Sequence, residues 1–244
     1  MIPMGEIRVG TSGYSYFWNE GVPTPFQWYC GQGFDTVEIN ASFYRFPSRG
    51  WIKAWTKCPR GFDFSVKIHR VITHYWRLGP RAFTPWRSFQ ARFKEMEDLI
   101  TFWLFQMPPN FAATTENAET LAKFFSELNL GNSAVLEFRH PSWWDRKEIC
   151  RDLDAVFCSV DAPGLPREIV SINDVVYLRL HGREAWYAYV YTEGELREIM
   201  ETMKGLDANK KYIYLNNDHG MLPNGRFLMQ NVKNDNFDST SPGL

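Results

Sequence analysis

Polar and apolar residues alternate along short β-strand-like segments of this chain, and the polar residues lie toward the C-terminal end of each segment. In an extended strand, Leu136 and Phe138 share one face. Glu137 and Arg139 share the opposite face. Such strands offer an apolar face to a core and an ionisable face to a site, which strongly constrains the fold. The same alternation recurs in three further segments: Thr36–Asn40, Ser65–His69 and Tyr177–His181.

Strand-like and helix-like patterns alternate along the whole chain, which predicts an α/β fold with a parallel sheet. Eight such strands in 244 residues predict a closed (β/α)8 TIM barrel. The predicted strands are Ile7–Thr11, Thr36–Ile39, Phe64–Ile68, Phe102–Gln106, Ala134–Phe138, Phe157–Val160, Val175–Leu180 and Tyr212–Leu215. The clearest amphipathic helices are expected at Ser88–Leu99, Ala118–Leu128 and Glu193–Met203.

One predicted connection departs from the alternating pattern. After the sixth strand the chain reads Asp161-Ala162-Pro163-Gly164-Leu165-Pro166. Two prolines and a glycine leave little room for a regular helix, so we expect the β6–β7 connection to lack one. No linker divides the chain, and we expect one domain over residues 1–233, followed by a flexible polar tail over 234–244.

The amino-acid composition is typical of a globular protein and not of a membrane or secreted one. The chain is 44% hydrophobic and 23% charged, within the range of globular domains. It lacks the apolar run of roughly 20 residues that crosses a bilayer, and its N-terminus does not resemble a signal peptide. Its four cysteines have no C-x-x-C spacing. We therefore expect a cytoplasmic protein with reduced cysteines and no membrane partner.

If the strands close into a barrel, their polar faces point inward and their C-terminal ends form the site. Burying so many charges costs stability, so a ligand explains them better than folding does, although a self-neutralising structural network is the alternative. The side chains expected at this mouth are Glu38, Asn40, Lys67, His69, Gln106, Glu137, Arg139, Asp161, Arg179, His181 and Asn216.

Cations at this predicted mouth favour an anionic ligand, a phosphate or a carboxylate. The carboxylates and His181 could ligate a metal, but three fixed cations would repel it, so we expect no metal and no cofactor. Gly10 and Ser12 follow the first strand in a glycine-containing turn that would bring backbone N–H groups to an anion. Aromatic side chains around the pocket suit sugars or bases, and the candidates for ligand contact are Tyr14, Tyr44 and Trp143.

The segment Lys57–Lys94 is strongly basic. It carries nine Lys and Arg residues against a single carboxylate, Asp63, a net charge of +8 in a chain whose total is −1. Aromatic residues run through the same segment, and basic plus aromatic residues are typical of surfaces that bind nucleic acid. The alternative is that the arginines pair with acidic residues elsewhere while the aromatics fill a core.

These motifs resemble the YecE-like proteins, a TIM-barrel family of unknown function. The matching stretches follow one another along nearly the whole chain. They are Gly10–Tyr14 with Trp18, Thr36–Asn40 with Phe43-Tyr44, Phe64–Lys67 with Thr73-His74, Leu104–Phe111, Glu137–His140 with Ser142-Trp143, Tyr177–Gly182 and Asn216–Asp218. The resemblance implies a single barrel with its site at the strand ends.

The resemblance leaves the activity open. The family's likeness to endonuclease IV-type barrels implies nucleic-acid binding, but this chain lacks the dense His/Asp/Glu set that metal-dependent cleavage needs. Our first hypothesis is therefore a protein that binds or acts on DNA or RNA. The alternative is a metal-independent lyase or isomerase acting on a phosphorylated or acidic sugar. Its catalytic set would be Glu137 or Asp161 as general base, His181 as proton carrier, Lys67 as electrophile or Schiff-base former, and Glu38.

Overall fold

Eight parallel strands form one sheet that curves into a nearly closed barrel, as predicted, in a computed structural model that describes residues 5–238. The spatial order is β1-β8-β7-β6-β5-β4-β3-β2. A parallel bridge between Ser12 and Glu38 brings β1 to β2, and the Gly13 N–H donates to the Glu38 carbonyl over 2.7 Å. The strands are β1 (Ile7–Thr11), β2 (Thr36–Ile39), β3 (Asp63–Lys67), β4 (Ile100–Gln106), β5 (Ala134–Glu137), β6 (Val156–Asp161), β7 (Val175–Leu180) and β8 (Lys210–Leu215).

Helices connect most strands and cover the outside of the barrel. Several begin at a Ser or Thr whose hydroxyl accepts a backbone N–H, and Thr192 with Glu195 forms a complete capping box. As predicted, the β6–β7 connection has no helix. None of the helices within residues 5–238 is long and apolar enough to cross a bilayer. The α-helices are α1 (Pro25–Gly31), α2 (Arg49–Trp55), α3 (Phe83–Ala91), α4 (Thr115–Ser126), α5 (Ile149–Asp152), α6 (Glu193–Gly205) and α7 (Met221–Asp238).

Most predicted strands and helices differ from the structure by one to three residues at an end, and two predicted segments differ more. The helix expected at Ser88–Leu99 begins earlier, as α3, because Pro85 lies in the first helical turn, where its missing N–H costs nothing. It also ends earlier, and a separate 3₁₀ helix spans Lys94–Leu99. The last helix, α7, includes residues 234–238 of the predicted tail, whereas residues 239–244 lie outside the described part of the chain.

The barrel interior is filled by rings and by paired polar groups. At the N-terminal end of the strands, Arg8 donates to Asp63 over 2.5 Å, and the Tyr212 hydroxyl donates to the same carboxylate over 2.6 Å. Above them, the Tyr214 hydroxyl lies 2.8 Å from the Thr36 hydroxyl. All of these side chains are buried, where polar atoms need hydrogen-bonding partners from the protein itself.

Gly10 allows β1 and β2 to approach each other at the barrel closure. A Cβ atom on Gly10 would lie 2.5 Å from the carbonyl oxygen of Thr36. Gly10 was predicted to approach a ligand, but its missing side chain is explained by this strand contact.

We expect Gly10→Ala to destabilise the barrel by about 1–3 kcal/mol, because the added methyl group forces β1 away from β2. Gly31→Ala is the matched control, since a Cβ there meets nothing within 4 Å. It should leave stability unchanged or slightly raised. Urea unfolding of both variants measures the difference. Equal stability of the two variants would contradict this role of Gly10.

Candidate active site at the barrel mouth

A fully buried arginine joins two carboxylates at the C-terminal end of the barrel. Arg179 on β7 donates through Nη2 to Glu38 Oε1 over 2.6 Å and through Nη1 to Glu137 Oε2. Its Nη2 also lies 3.2 Å from the Ser12 hydroxyl. Tyr177, two residues earlier on the same face, donates its hydroxyl to Glu38 Oε2 over 2.8 Å. Both oxygens of Glu38 are therefore occupied.

Arg139 completes the ion network, which we define as Glu38, Glu137, Arg139 and Arg179. Its Nε pairs with the second oxygen of Glu137, and its guanidinium carbon lies 4.4 Å from the centre of the Trp186 ring. The Arg139 side chain is 7% exposed, whereas those of the other three members are fully buried. Arg139 is thus the member of this network that a ligand can reach.

His181 lies beside the ion network as a neutral imidazole. Its Nε2 is 3.3 Å from Arg139 Nη2 and its Nδ1 is 3.2 Å from the amide nitrogen of Asn216. Burial, followed by the two neighbouring guanidiniums, lowers the pKa of His181 well below its ordinary value. The role of proton carrier predicted for His181 fits poorly, because near neutral pH its imidazole is not protonated.

Glu137 is fixed as a carboxylate. Burial alone would raise its pKa, but the charges of Arg139 and Arg179 outweigh burial and hold the pKa well below the ordinary value. A carboxylate with so low a pKa and both oxygens in ion pairs is a poor general base. Glu137 therefore serves to hold the two guanidiniums in place.

Lys67, at the end of β3, differs from every other charged group at the mouth. Within the described residues, its amine makes no hydrogen bond or ion pair and lies 4.4 Å from the centre of the Phe43 ring. Burial and then the charge of Arg179 lower the pKa of Lys67 to about 7, although Glu137 and Glu38 oppose them. A substantial fraction of this amine is therefore unprotonated near neutral pH.

The prediction that Asp161 joins the mouth is wrong. Asp161 points to the outer layer of the barrel, where its carboxylate accepts from Arg183 over 3.1 Å and lies 3.7 Å from Arg167. Phe157, on the same face of β6, packs against Trp144 outside the sheet at a ring distance of 5.3 Å. Residues four apart on a strand share a face, so Phe157 fixes the direction of Asp161.

Two further predicted ligand contacts lie outside the mouth. Trp143 is fully buried, stacks on Phe138 with ring centroids 4.3 Å apart and donates its indole N–H to a backbone carbonyl. His69 follows the end of β3, and its ring lies 4.8 Å from Phe46 on the outer side of the sheet. Both side chains pack between the sheet and its outer layer.

The other predicted positions surround the mouth at different depths. Gln106 and Asn216 are 8% and 4% exposed. Asn40 is half-buried, and its amide nitrogen lies 3.5 Å from the Ser12 carbonyl. Tyr44 is 65% exposed. Tyr14 instead lines a neighbouring cavity of about 430 Å³ between α1 and α2, where Trp55 donates to its hydroxyl over 2.8 Å.

Sequence reasoning left several residues of the mouth out of the candidate site. Tyr177 shares the inward face of β7 with Arg179, so strand alternation contained the signal for it. Phe43 and Trp186 provide the ring faces beneath Lys67 and Arg139. His74 lies 4.9 Å from Phe43, and burial and the charge of Lys67 lower its pKa to about 4. Among the side chains that the structure describes, those of residues 5–234, no group of three or more from His, Cys, Asp or Glu is placed to hold a metal ion.

We expect Glu137→Gln to destabilise the protein by about 3–5 kcal/mol, because it leaves Arg179 and Arg139 buried without their shared carboxylate. The folded-state pKa of Glu137 is lowered, so its contribution is complete above the ordinary value of 4.5 and is lost as the pH falls below it. Thermal melting from pH 3 to 8 should therefore show a gap between wild type and variant that narrows in acid. A gap independent of pH would contradict this assignment.

We expect Arg139→Met to leave the melting temperature unchanged or raised, because Glu137 keeps its pair with Arg179 and a costly charge is removed. The same substitution should abolish binding of phosphate or sulfate at the mouth, measured by calorimetric titration. A large loss of melting temperature with anion binding intact would show that Arg139 belongs to the scaffold.

The chain is similar to solved structures over almost its full length. A DUF72 family protein from Thermotoga maritima is 28% identical, with a TM-score of 0.79 over 93% of this chain and 99% of the other. A DUF72 family protein from Enterococcus faecalis is 21% identical and shares the fold, with a TM-score of 0.78 over 93% and 95% of the two chains. No curated protein matches the chain. The family model described as "Protein of unknown function DUF72" matches residues 8–237, so the chain belongs to the DUF72 family.

Proposed function

We propose that the barrel mouth binds nucleic acid, preferably single-stranded, through an arginine rim. The arginine rim consists of exposed side chains on the segments that follow β2 and β3, including the first residue of α2. Among the described residues, none of these guanidiniums is paired with a carboxylate. This lack of pairing is the observation that carries the proposal, because unpaired arginines beside a site favour a polyanion. The members are Arg45, Arg49, Arg70, Arg77 and Arg81.

Exposed tyrosines accompany the arginine rim. Tyr44 and Tyr75 are 65% and 72% exposed, on the same two loops. The contact between Phe43 and His74, with ring centroids 4.9 Å apart, joins these loops above β2 and β3. Flat exposed rings beside unpaired arginines suit the stacking of bases and the binding of a backbone.

The basic segment Lys57–Lys94 divides into two parts. Its first loop, after β3, contributes to the arginine rim. The aromatic residues of its second part, Trp86, Phe89 and Phe93, are 4%, 0% and 1% exposed and belong to the core. The proposal therefore assigns nucleic-acid contact to the loop and not to α3.

A lyase or isomerase acting on a phosphorylated or acidic sugar remains the second candidate. The unpaired Lys67 amine favours it, because an amine with a pKa of about 7 can act as base or nucleophile at neutral pH. Glu137 and Asp161 do not support it as general bases, for the reasons given above. The sequence motifs further suggest the YecE-like members of the family, and the cytoplasmic location stays a prediction.

We expect a fluorescent single-stranded oligonucleotide to bind at low salt, with anisotropy as the readout. The double substitution Arg70→Gln with Arg77→Gln should weaken binding and lower the magnitude of the slope of log K against log salt by about 1.4, because each lost phosphate contact on a single strand accounts for about 0.7. Tyr75→Ala should weaken binding by about 1–3 kcal/mol through lost stacking.

The matched control is the double substitution Arg92→Gln with Lys94→Gln. It removes the same charge from the same basic segment but lies just before β4, at the opposite end of the barrel. This control should bind like wild type. If single-stranded and double-stranded DNA and RNA all fail to bind at low salt, or if both double variants weaken binding equally, the proposal is lost.

A further inference from the structure

Lys67 is the reactive group that the ion network leaves unused. Glu38 and Glu137 are held in ion pairs, Arg179 is fully buried, and His181 contacts Arg139 and Asn216. Lys67 is 7% exposed, and its amine has no hydrogen-bonding partner in the described residues. We propose that Lys67 forms an imine with the aldehyde or ketone carbonyl of a phosphorylated sugar. This inference rests on the second candidate function, a lyase or isomerase acting on a phosphorylated sugar, and names the covalent chemistry at its site.

The surroundings of Lys67 suit an amine nucleophile. An amine attacks a carbonyl only as the free base, and desolvation beside other cations is the usual way to provide one at neutral pH. Here β3 places the amine over the Phe43 ring and in the field of Arg179. The other charged or titratable groups acting on it are Glu38 from β2, Glu137 and Arg139 from the end of β5, and His74 from the loop after β3.

The groups around the amine match the rest of a sugar phosphate. Arg139 is partly exposed and can donate hydrogen bonds to a phosphate oxygen while it keeps its ion pair with Glu137. The half-buried amide of Asn40 and the 8% exposed amide of Gln106 can bond hydroxyl groups. Trp186 offers a ring face beside Arg139, and sugars pack their C–H faces on such rings.

The proposed step balances without an oxidant or a metal. The lone pair of Lys67 Nζ attacks the carbonyl carbon, and the carbonyl π electrons move to oxygen, which takes up a proton. Nitrogen gives up its first proton in forming the neutral carbinolamine. Its lone pair then expels the hydroxyl group, which leaves as water together with the second proton of nitrogen. The net change is one amine and one carbonyl converted into one imine and one water.

Two kinds of ligand could present a sugar carbonyl together with a phosphate to Lys67. A free pentose or triose phosphate has a carbonyl in its open-chain form. A sugar within a nucleic acid has one only where the base has been lost, because the glycosidic bond otherwise blocks the anomeric carbon. The second kind would place the imine at the same mouth that binds the strand.

Borohydride trapping tests the proposal, because the reduction of an imine leaves a stable secondary amine. One arm uses glyceraldehyde 3-phosphate and deoxyribose 5-phosphate, with unphosphorylated glyceraldehyde as the comparison. The other arm uses an oligonucleotide with one abasic site. We expect peptide mass mapping to place the adduct on Lys67, with phosphorylated aldehydes trapped about tenfold faster than glyceraldehyde.

Lys211→Met is the matched control for Lys67→Met. Lys211 is also a buried lysine with a lowered pKa, 6% exposed, but its amine donates to the Lys204 carbonyl over 3.2 Å on the outer side of β8. Trapping should fall about tenfold in Lys67→Met and stay unchanged in Lys211→Met. Mapping the wild-type adduct needs no variant, so the test survives if Lys67→Met fails to fold.

Adducts spread over surface lysines, or trapping unchanged in folded Lys67→Met, would overturn the proposal. Anisotropy of an intact oligonucleotide separates its failure from that of the proposed function. Binding of the intact oligonucleotide without an adduct on Lys67 would support the nucleic-acid site and contradict the proposed imine. An adduct of Lys67 with free sugar phosphates, in a protein that binds no nucleic acid, would support the proposed imine and contradict the proposed nucleic-acid binding.

Discussion

The double ion pair of Arg179 with Glu38 and Glu137 is the interaction on which the rest of the mouth depends. A guanidinium buried without partners would cost far more than a domain's net stability allows, so both carboxylates must be present and charged. The remaining oxygen of Glu38 accepts from the Tyr177 hydroxyl, and that of Glu137 pairs with Arg139. One buried charge thereby fixes side chains on β2, β5 and β7.

Hydrogen bonds and ring contacts of tyrosines connect the ion network with the opposite end of the barrel. Tyr177 contacts Glu38 on one side and lies 2.7 Å from the Ser65 hydroxyl on the other. Its ring packs at 5.0 Å from Tyr214, which bonds Thr36, and at 5.3 Å from Phe102. A typical barrel interior consists of branched aliphatic layers, whereas here rings supply the bulk and hydroxyls satisfy the buried polar atoms. These packed rings and hydroxyl groups hold the four charged side chains of the ion network in place.

Strand alternation in the sequence was enough to predict the barrel and most of the mouth, because period-two patterns fix which side chains point inward. It brought Lys67, Glu137 and Arg179 together correctly. It failed at His69, which lies two residues beyond the end of β3, because the chain there turns toward a π-helix at Val71–Tyr75 and alternation no longer applies. Asp161 was wrongly predicted to point into the barrel, although the apolar Phe157 on the same face of its strand indicated that this face packs outward. The burial of Trp143 depends on tertiary packing that no local pattern contains.

The charge state of the mouth limits which ligand can react there. The ion network is neutral in itself, with two carboxylates and two guanidiniums, so a protonated Lys67 is the unbalanced charge. An anion close to Lys67 would favour its protonated form and suppress nucleophilic attack. A ligand that reacts must therefore keep its phosphate at Arg139 or the arginine rim and present an uncharged carbonyl to the amine. A sugar phosphate, with its charge and its carbonyl at separate carbons, has that arrangement.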